Sequence, residues 1–138
     1  MTGRCFDSAG TEIKLHPGCA DILAKLGRER PCKVAYVSRT YYPEYSAQCL
    51  DRIVVGNGLT MRDCAQHFEI YPADKKKHFR AISKASGIAP SDMLFFDDQA
   101  RNVQSVAQLG ATCVLVPHGL SPKAFAEGLR QYAASKQQ

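Results

Sequence analysis

Short apolar runs alternate along this chain with stretches whose apolar residues recur every three or four positions, the pattern of an α/β protein. Residues 33–37 and 92–96 are compact apolar runs that predict buried parallel strands, and residues 11–15, 68–71 and 112–116 predict three more. Helical spacing starts at Pro17, suited to a first turn, and puts Cys19, Ile22, Leu23 and Leu26 on one face before Gly27 is expected to end the helix. A second helix is expected over 43–53, with Tyr45, Cys49 and Ile53 four apart. A third covers 76–86, with Phe79, Ile82 and Ala85 inward and Gly87 as its stop. Residues 100–109 predict a fourth, with Val103, Val106 and Ala107 inward and Gly110 as C-cap. Ser121 and Pro122 then supply an N-cap and a first-turn proline for a last helix to about residue 134. Residues 54–66 read as a loop around the turn signal Gly56-Asn57-Gly58, and His118-Gly119 as a turn.

The chain has 138 residues, so one domain over 1–138 is expected, irregular over 1–10 and with a polar tail over 135–138. Apolar residues make up 45% and charged residues 22%, as in an ordinary globular protein. No run is long enough to span a membrane, and the polar start lacks a signal-peptide core, so a cytoplasmic protein with no membrane partner is expected. The net charge of +5 is spread out, and its densest run is Lys75-Lys76-Lys77, which argues against nucleic acid as a partner. Six cysteines are dispersed with no CxxC pair and read as reduced thiols, with no zinc site. His16, His67, His78 and His118 have no ligand spacing.

Three clusters carry candidate chemistry. Val37-Ser38-Arg39-Thr40 puts a hydroxyl and a base after a predicted strand. Lys75-Lys76-Lys77 follow Tyr71-Pro72. Asp97-Asp98 close the run Met93-Leu94-Phe95-Phe96. Parallel strands bind ligands at their carboxyl ends, where Ser38 and Asp97 fall. Two adjacent carboxylates at such an edge favour a cation, and magnesium, a hard ion with oxygen ligands, suits them. Ser38, neighbouring amides and a lysine could then hold phosphate oxygens. Each cluster alone has a plainer reading: a turn or N-cap for Asp97-Asp98, a capped loop for Ser38, a solvated face for the lysines. Their order favours the joint reading. A receiver domain of two-component signalling uses the same groups, but there the acidic pair follows the first strand and the lysine comes last.

Hydroxyl, lysine, then acidic pair is the order of the haloacid dehalogenase (HAD) superfamily of phosphohydrolases. The blocks Val37-Ser38-Arg39-Thr40, Glu69-Ile70-Tyr71-Pro72 with Lys75 and His78-Phe79, Met93-Leu94-Phe95-Phe96-Asp97-Asp98 with Arg101-Asn102, and Leu109-Gly110-Ala111-Thr112-Cys113 resemble its magnesium-dependent phosphatase family. The resemblance runs from about residue 13 to residue 129. It implies a HAD-like Rossmannoid parallel sheet flanked by helices, with minimal or no cap. It further implies Mg2+-assisted hydrolysis of phosphoprotein, including phosphotyrosine, or of small sugar phosphates through an aspartyl-phosphate. By it Ser38 and Arg39 bind phosphate, Lys75 binds phosphate and acts in catalysis, and Asp97 and Asp98 hold the metal.

The sequence departs from the family at one place. The family opens with a strand ending Asp-x-Asp-x-Thr, whose first Asp is the nucleophile. The nearest imitation, Phe6-Asp7-Ser8-Ala9-Gly10-Thr11, has Ala9 where the second Asp belongs and no apolar strand before it. Asp7 reads as a turn residue, and the nucleophile strand is expected to be missing from a truncated chain. As written, the chain is expected to be an inactive phosphatase. The alternative is a non-catalytic pseudo-phosphatase, a phosphate-binding or regulatory module.

Overall fold

The computed structural model describes residues 5–6, 12–13, 15 and 17–137. Asp7 and Ala9, with the turn expected there, lie outside the described residues. The chain divides into two compact units, Met1–Pro72 and Ala73–Gln138.

In the first unit, β1 (Cys5–Phe6) pairs antiparallel with β2 (Glu12–Ile13), so the stretch 1–10 is not wholly irregular. Helix α1 spans Pro17–Glu29 and runs through Gly27 instead of ending there. The glycine is needed for contact: a Cβ on it would lie 2.6 Å from Cys64 Sγ. Strand β3 (Ala35–Ser38) pairs in parallel with β6 (His67–Ile70), Ser38 opposite Ile70. Its residues are half-buried or exposed, less covered than the apolar run predicts. Helix α2 (Pro43–Arg52) lies between them in sequence and buries Leu50.

The stretch expected to be a loop is a β-hairpin, β4 (Val54–Gly56) against β5 (Leu59–Thr60), followed by a 3-10 turn at Arg62–Cys64. Asn57 and Gly58 both have positive φ, 53° and 76°, as a two-residue type I′ turn requires, and the paired Gly56 and Leu59 flank it. Leu23, Ala24, Val55 and Cys64 form the core here, with Tyr36 and Met61 against them. The Tyr36 hydroxyl donates to the Met61 carbonyl at 2.7 Å, which satisfies a polar tip placed in apolar surroundings.

In the second unit, α3 (Lys75–Ser86) starts at Asp74, whose carboxylate accepts from the Lys76 amide at 2.8 Å, and ends at Gly87 in the left-handed region. A 3-10 turn (Pro90–Asp92) leads into β7 (Leu94–Asp97), which pairs in parallel with β8 (Thr112–Leu115). Between them runs α4 (Ala100–Ala107), and Ser121 caps the last helix, α5 (Pro122–Ser135). His118 and Gly119 form the expected turn, closed by the Gly119 amide on Val116. Phe79, Ile82, Phe95 and Val106 are buried, with Phe79 edge-on to Phe95 at 4.8 Å between centroids. Ala85 and Ala107, expected inward, are exposed at the margins of their helices' buried stripes. Lys136, in the tail expected to be merely polar, donates to the Ser91 carbonyl and pairs with Asp92.

Cys49 is disulfide-bonded, which corrects the expectation of six reduced thiols. Dispersal along a sequence says nothing about proximity in a fold, where bridging depends on Cα separation. Cys19, Cys32, Cys64 and Cys113 are free. Among the described residues no helix is long and apolar enough to cross a membrane.

Candidate active site

Strand β7 carries alternating side chains, with Phe95 and Asp97 turned to the buried side. Asp97 is the strand's last residue and is only 8% exposed. A carboxylate there needs compensation, and it has it. Lys75, first residue of α3 and 7% exposed, donates from Nζ to Asp97 Oδ2 at 2.7 Å. The Gln99 amide donates to Oδ1 at 2.8 Å, and the buried Asn102 amide reaches both oxygens at 3.3 Å. The lysine ammonium also stands 5.4 Å from the centre of the Phe95 ring.

Burial pushes the Asp97 carboxyl up. The hydrogen bond from Lys75, the Gln99 amide, the lysine's charge and Asn102 outweigh it and hold the group below its ordinary range. Asp97 is therefore an anion at neutral pH. Of the three adjacent lysines only Lys75 is buried; Lys76 is half-buried and Lys77 exposed. Asp98, the next residue, is exposed. Among the described residues no group of three or more His, Cys, Asp or Glu side chains is placed to hold a metal.

In the first unit, Ser38 closes β3 as Asp97 closes β7. Its hydroxyl accepts from the Thr40 amide at 3.2 Å, and Thr40 Oγ1 accepts from the Tyr42 amide at 3.1 Å. Two successive side-chain turns thus order the loop that carries Arg39, which is half-buried, into α2. Asn102 lies within the block spanning residues 93–102, but that pattern alone assigns it no role. The signal was present, since an amide in the first turn of the helix after a strand-end carboxylate can reach back to it. Asp74 as the cap that starts α3 at Lys75 was also legible, as an Asp just before a helical run.

Thiol chemistry is disfavoured. Burial raises Cys19, Cys32 and Cys64, and takes Cys113 to about 11, so these thiols are protonated and weakly nucleophilic at neutral pH.

A sequence model of the family described as Acid Phosphatase matches residues 1–135. The chain is 31% identical over 134 residues to Magnesium-dependent phosphatase 1 of Homo sapiens, covering 97% of this chain and 72% of that protein. It is 34% identical over 113 residues to a HAD-like hydrolase superfamily protein of Schizosaccharomyces pombe, covering 80% of this chain and 64% of that one. Among solved structures, a HAD family enzyme of Bacteroides thetaiotaomicron in complex with magnesium and inorganic phosphate superposes with TM-score 0.68 at 16% identity. It covers 84% of this chain, which spans 60% of the bacterial one. The phosphatase domain of a Bacteroides fragilis protein complexed with Mg gives TM-score 0.64 at 21% identity, over 87% of this chain and 32% of that one. These likenesses show a HAD-like α/β fold. With the ordered blocks around Ser38, Lys75 and Asp97 and the match over nearly its full length, the chain belongs to the Acid Phosphatase family, the magnesium-dependent phosphatases of the HAD superfamily.

Proposed function

We propose that this chain is a phosphate-monoester phosphatase domain of the magnesium-dependent kind, acting as one unit over its 138 residues. The observation that carries the reading is the buried Lys75–Asp97 pair at the carboxyl end of β7. An ammonium there can meet phosphate charge, and a strand-end carboxylate can meet a cation. Ser38 and Arg39 are the phosphate-binding residues, Lys75 binds phosphate and acts in catalysis, and Asp97 with Asp98 are the metal ligands. Substrates are phosphoproteins, including phosphotyrosine, or small sugar phosphates, met in the cytoplasm.

The donor set suits magnesium in kind, being hard carboxylate oxygens. In number it falls short: two carboxylates leave an ion that dehydrates reluctantly mostly hydrated, so these residues would hold it weakly. When bound, magnesium supplies neutralisation of phosphate charge.

The same 138 residues contain no Asp-x-Asp-x-Thr before Ser38, and Ala9 stands where the second Asp would be. No carboxylate of that motif is available for in-line attack, and hydrolysis by these residues alone is therefore absent. Ala9 also favours the second reading, a phosphate-binding module without turnover. Assay with p-nitrophenyl phosphate and magnesium tests both. The chain as written should give no turnover, and an added strand ending Asp-x-Asp-x-Thr should switch it on. Turnover by the unaltered chain that is lost in both Asp7→Asn and Asp97→Asn would make Asp7 the nucleophile. Retained affinity for inorganic phosphate, with no gain of activity from the added strand, would favour the binding module.

A further inference from the structure

We propose that Tyr41 and Tyr42 form a docking platform beside the Ser38 loop for the apolar flank of a phosphorylated peptide, so that the site takes phosphopeptides in preference to small sugar phosphates. The inference deepens the proposed function and rests on Ser38 and Arg39 as phosphate-binding residues. It starts from exposure. Tyr41 is 80% and Tyr42 74% exposed, and Pro43 and Tyr45 are exposed next to them. Among the described residues, neither the Tyr41 nor the Tyr42 ring makes a hydrogen bond or ring contact with the rest of the fold.

The rings are nevertheless held in place. Ser38 Oγ accepts from the Thr40 amide at 3.2 Å, and Thr40 Oγ1 accepts from the Tyr42 amide at 3.1 Å. The Tyr42 carbonyl accepts from the Ser46 amide at 3.2 Å. Tyr42 is thus tied on one side to the loop that starts at Ser38 and on the other to the first turn of α2, where Pro43 fixes the entry. Four residues of chain span at most about 14 Å, so both rings start within a short peptide's length of Ser38. Folding gains nothing from two large rings in water. Consecutive apolar residues on an ordered loop beside a site mark a contact surface. A sugar phosphate would bring hydroxyls that need polar partners to ring faces and a proline, and would leave them poorly matched. An extended peptide carries its next side chains about 3–7 Å along from the phosphorylated residue, and apolar ones suit flat, stiff rings.

The probes are a fluorescently labelled phosphoserine peptide flanked by leucines and the same peptide flanked by glycines, read by anisotropy with the full chain. Inorganic phosphate and a hexose phosphate serve as competitors. Phosphoserine is chosen so that aromatic contact comes from the protein alone. The leucine-flanked peptide should bind at least about fivefold more tightly than the glycine-flanked one, as expected for partial cover of one apolar side chain. The hexose phosphate should compete no better than inorganic phosphate. Tyr41→Ala combined with Tyr42→Ala should erase the preference for leucine and leave competition by inorganic phosphate unchanged, whereas the paired Tyr→Phe changes should keep the preference. The proposal is overturned if the unaltered protein binds both peptides alike, if the preference survives the double alanine variant, or if the hexose phosphate competes better than inorganic phosphate. Failure of inorganic phosphate to displace either peptide would remove Ser38 and Arg39 as phosphate-binding residues, and the platform with them. With that competition intact, loss of the preference brings down the platform alone.

Discussion

Asp97 joins stability to pH through a single carboxyl group. Its donors hold it below the ordinary value of 3.8 in the fold. A group depressed on folding contributes stability that is complete above its unfolded-state value and is lost as pH falls through the folded one. The melting temperature should therefore drop from about pH 4 downward, and Asp97→Asn should flatten that slope. The same substitution strands the Lys75 charge in a closed site and should cost about 3–5 kcal/mol at neutral pH. Chemical denaturation at two pH values checks both; an acid slope unchanged in the variant would remove Asp97 from the account. Gly27 is a second sensitive position. Its added Cβ would lie 2.6 Å from Cys64 Sγ and 3.2 Å from Cys64 Cα, and backbone yields less readily than a side-chain tip. Gly27→Ala should destabilise by about 1–3 kcal/mol despite alanine's better helix propensity, read as a lower urea midpoint.

Helix starts fix the reactive residues more than helix interiors do. Asp74 sets the first turn of α3 and so the place of Lys75, and it ties that turn to Ser105. Asp74→Ala should cost about 1 kcal/mol, measured by urea unfolding. Ser121→Ala, at the start of α5, removes a similar cap from a helix that bears no candidate site residue. The helices, and the strands ending at Ser38 and Asp97, were legible because period and punctuation agreed along each. The hairpin of β4 and β5 was not, although Asn57-Gly58 announced it. Its strands have three and two residues, too short for alternation to show. Gly27 misled for another reason: glycine after an amphipathic run usually caps, and only tertiary contact with Cys64 tells packing from capping. The partnership of Lys75 with Asp97 was readable as a shared motif order, while the part of Asn102 depended on side-chain reach that spacing alone does not give.

The chemistry of the 138 residues taken together is set by what precedes Ser38. On the proposed reading, affinity for phosphate outlasts turnover, so binding and hydrolysis should separate experimentally. Equilibrium binding of inorganic phosphate should fall in Lys75→Met, while p-nitrophenyl phosphate remains untouched by either protein.

Cys64 has no exposed surface and sits in the core of the first unit, whereas Cys32 is exposed. That contrast makes the protein its own stopwatch. An alkylating reagent should mark Cys32 continuously, though more slowly than a free thiol, and Cys64 only during excursions that part α1 from the 3-10 turn. Reading the mass of each peptide against time gives the frequency of those excursions without any unfolding agent. A Gly27→Ala protein should open more often, and Cys64 should record it in the number of labels acquired per hour.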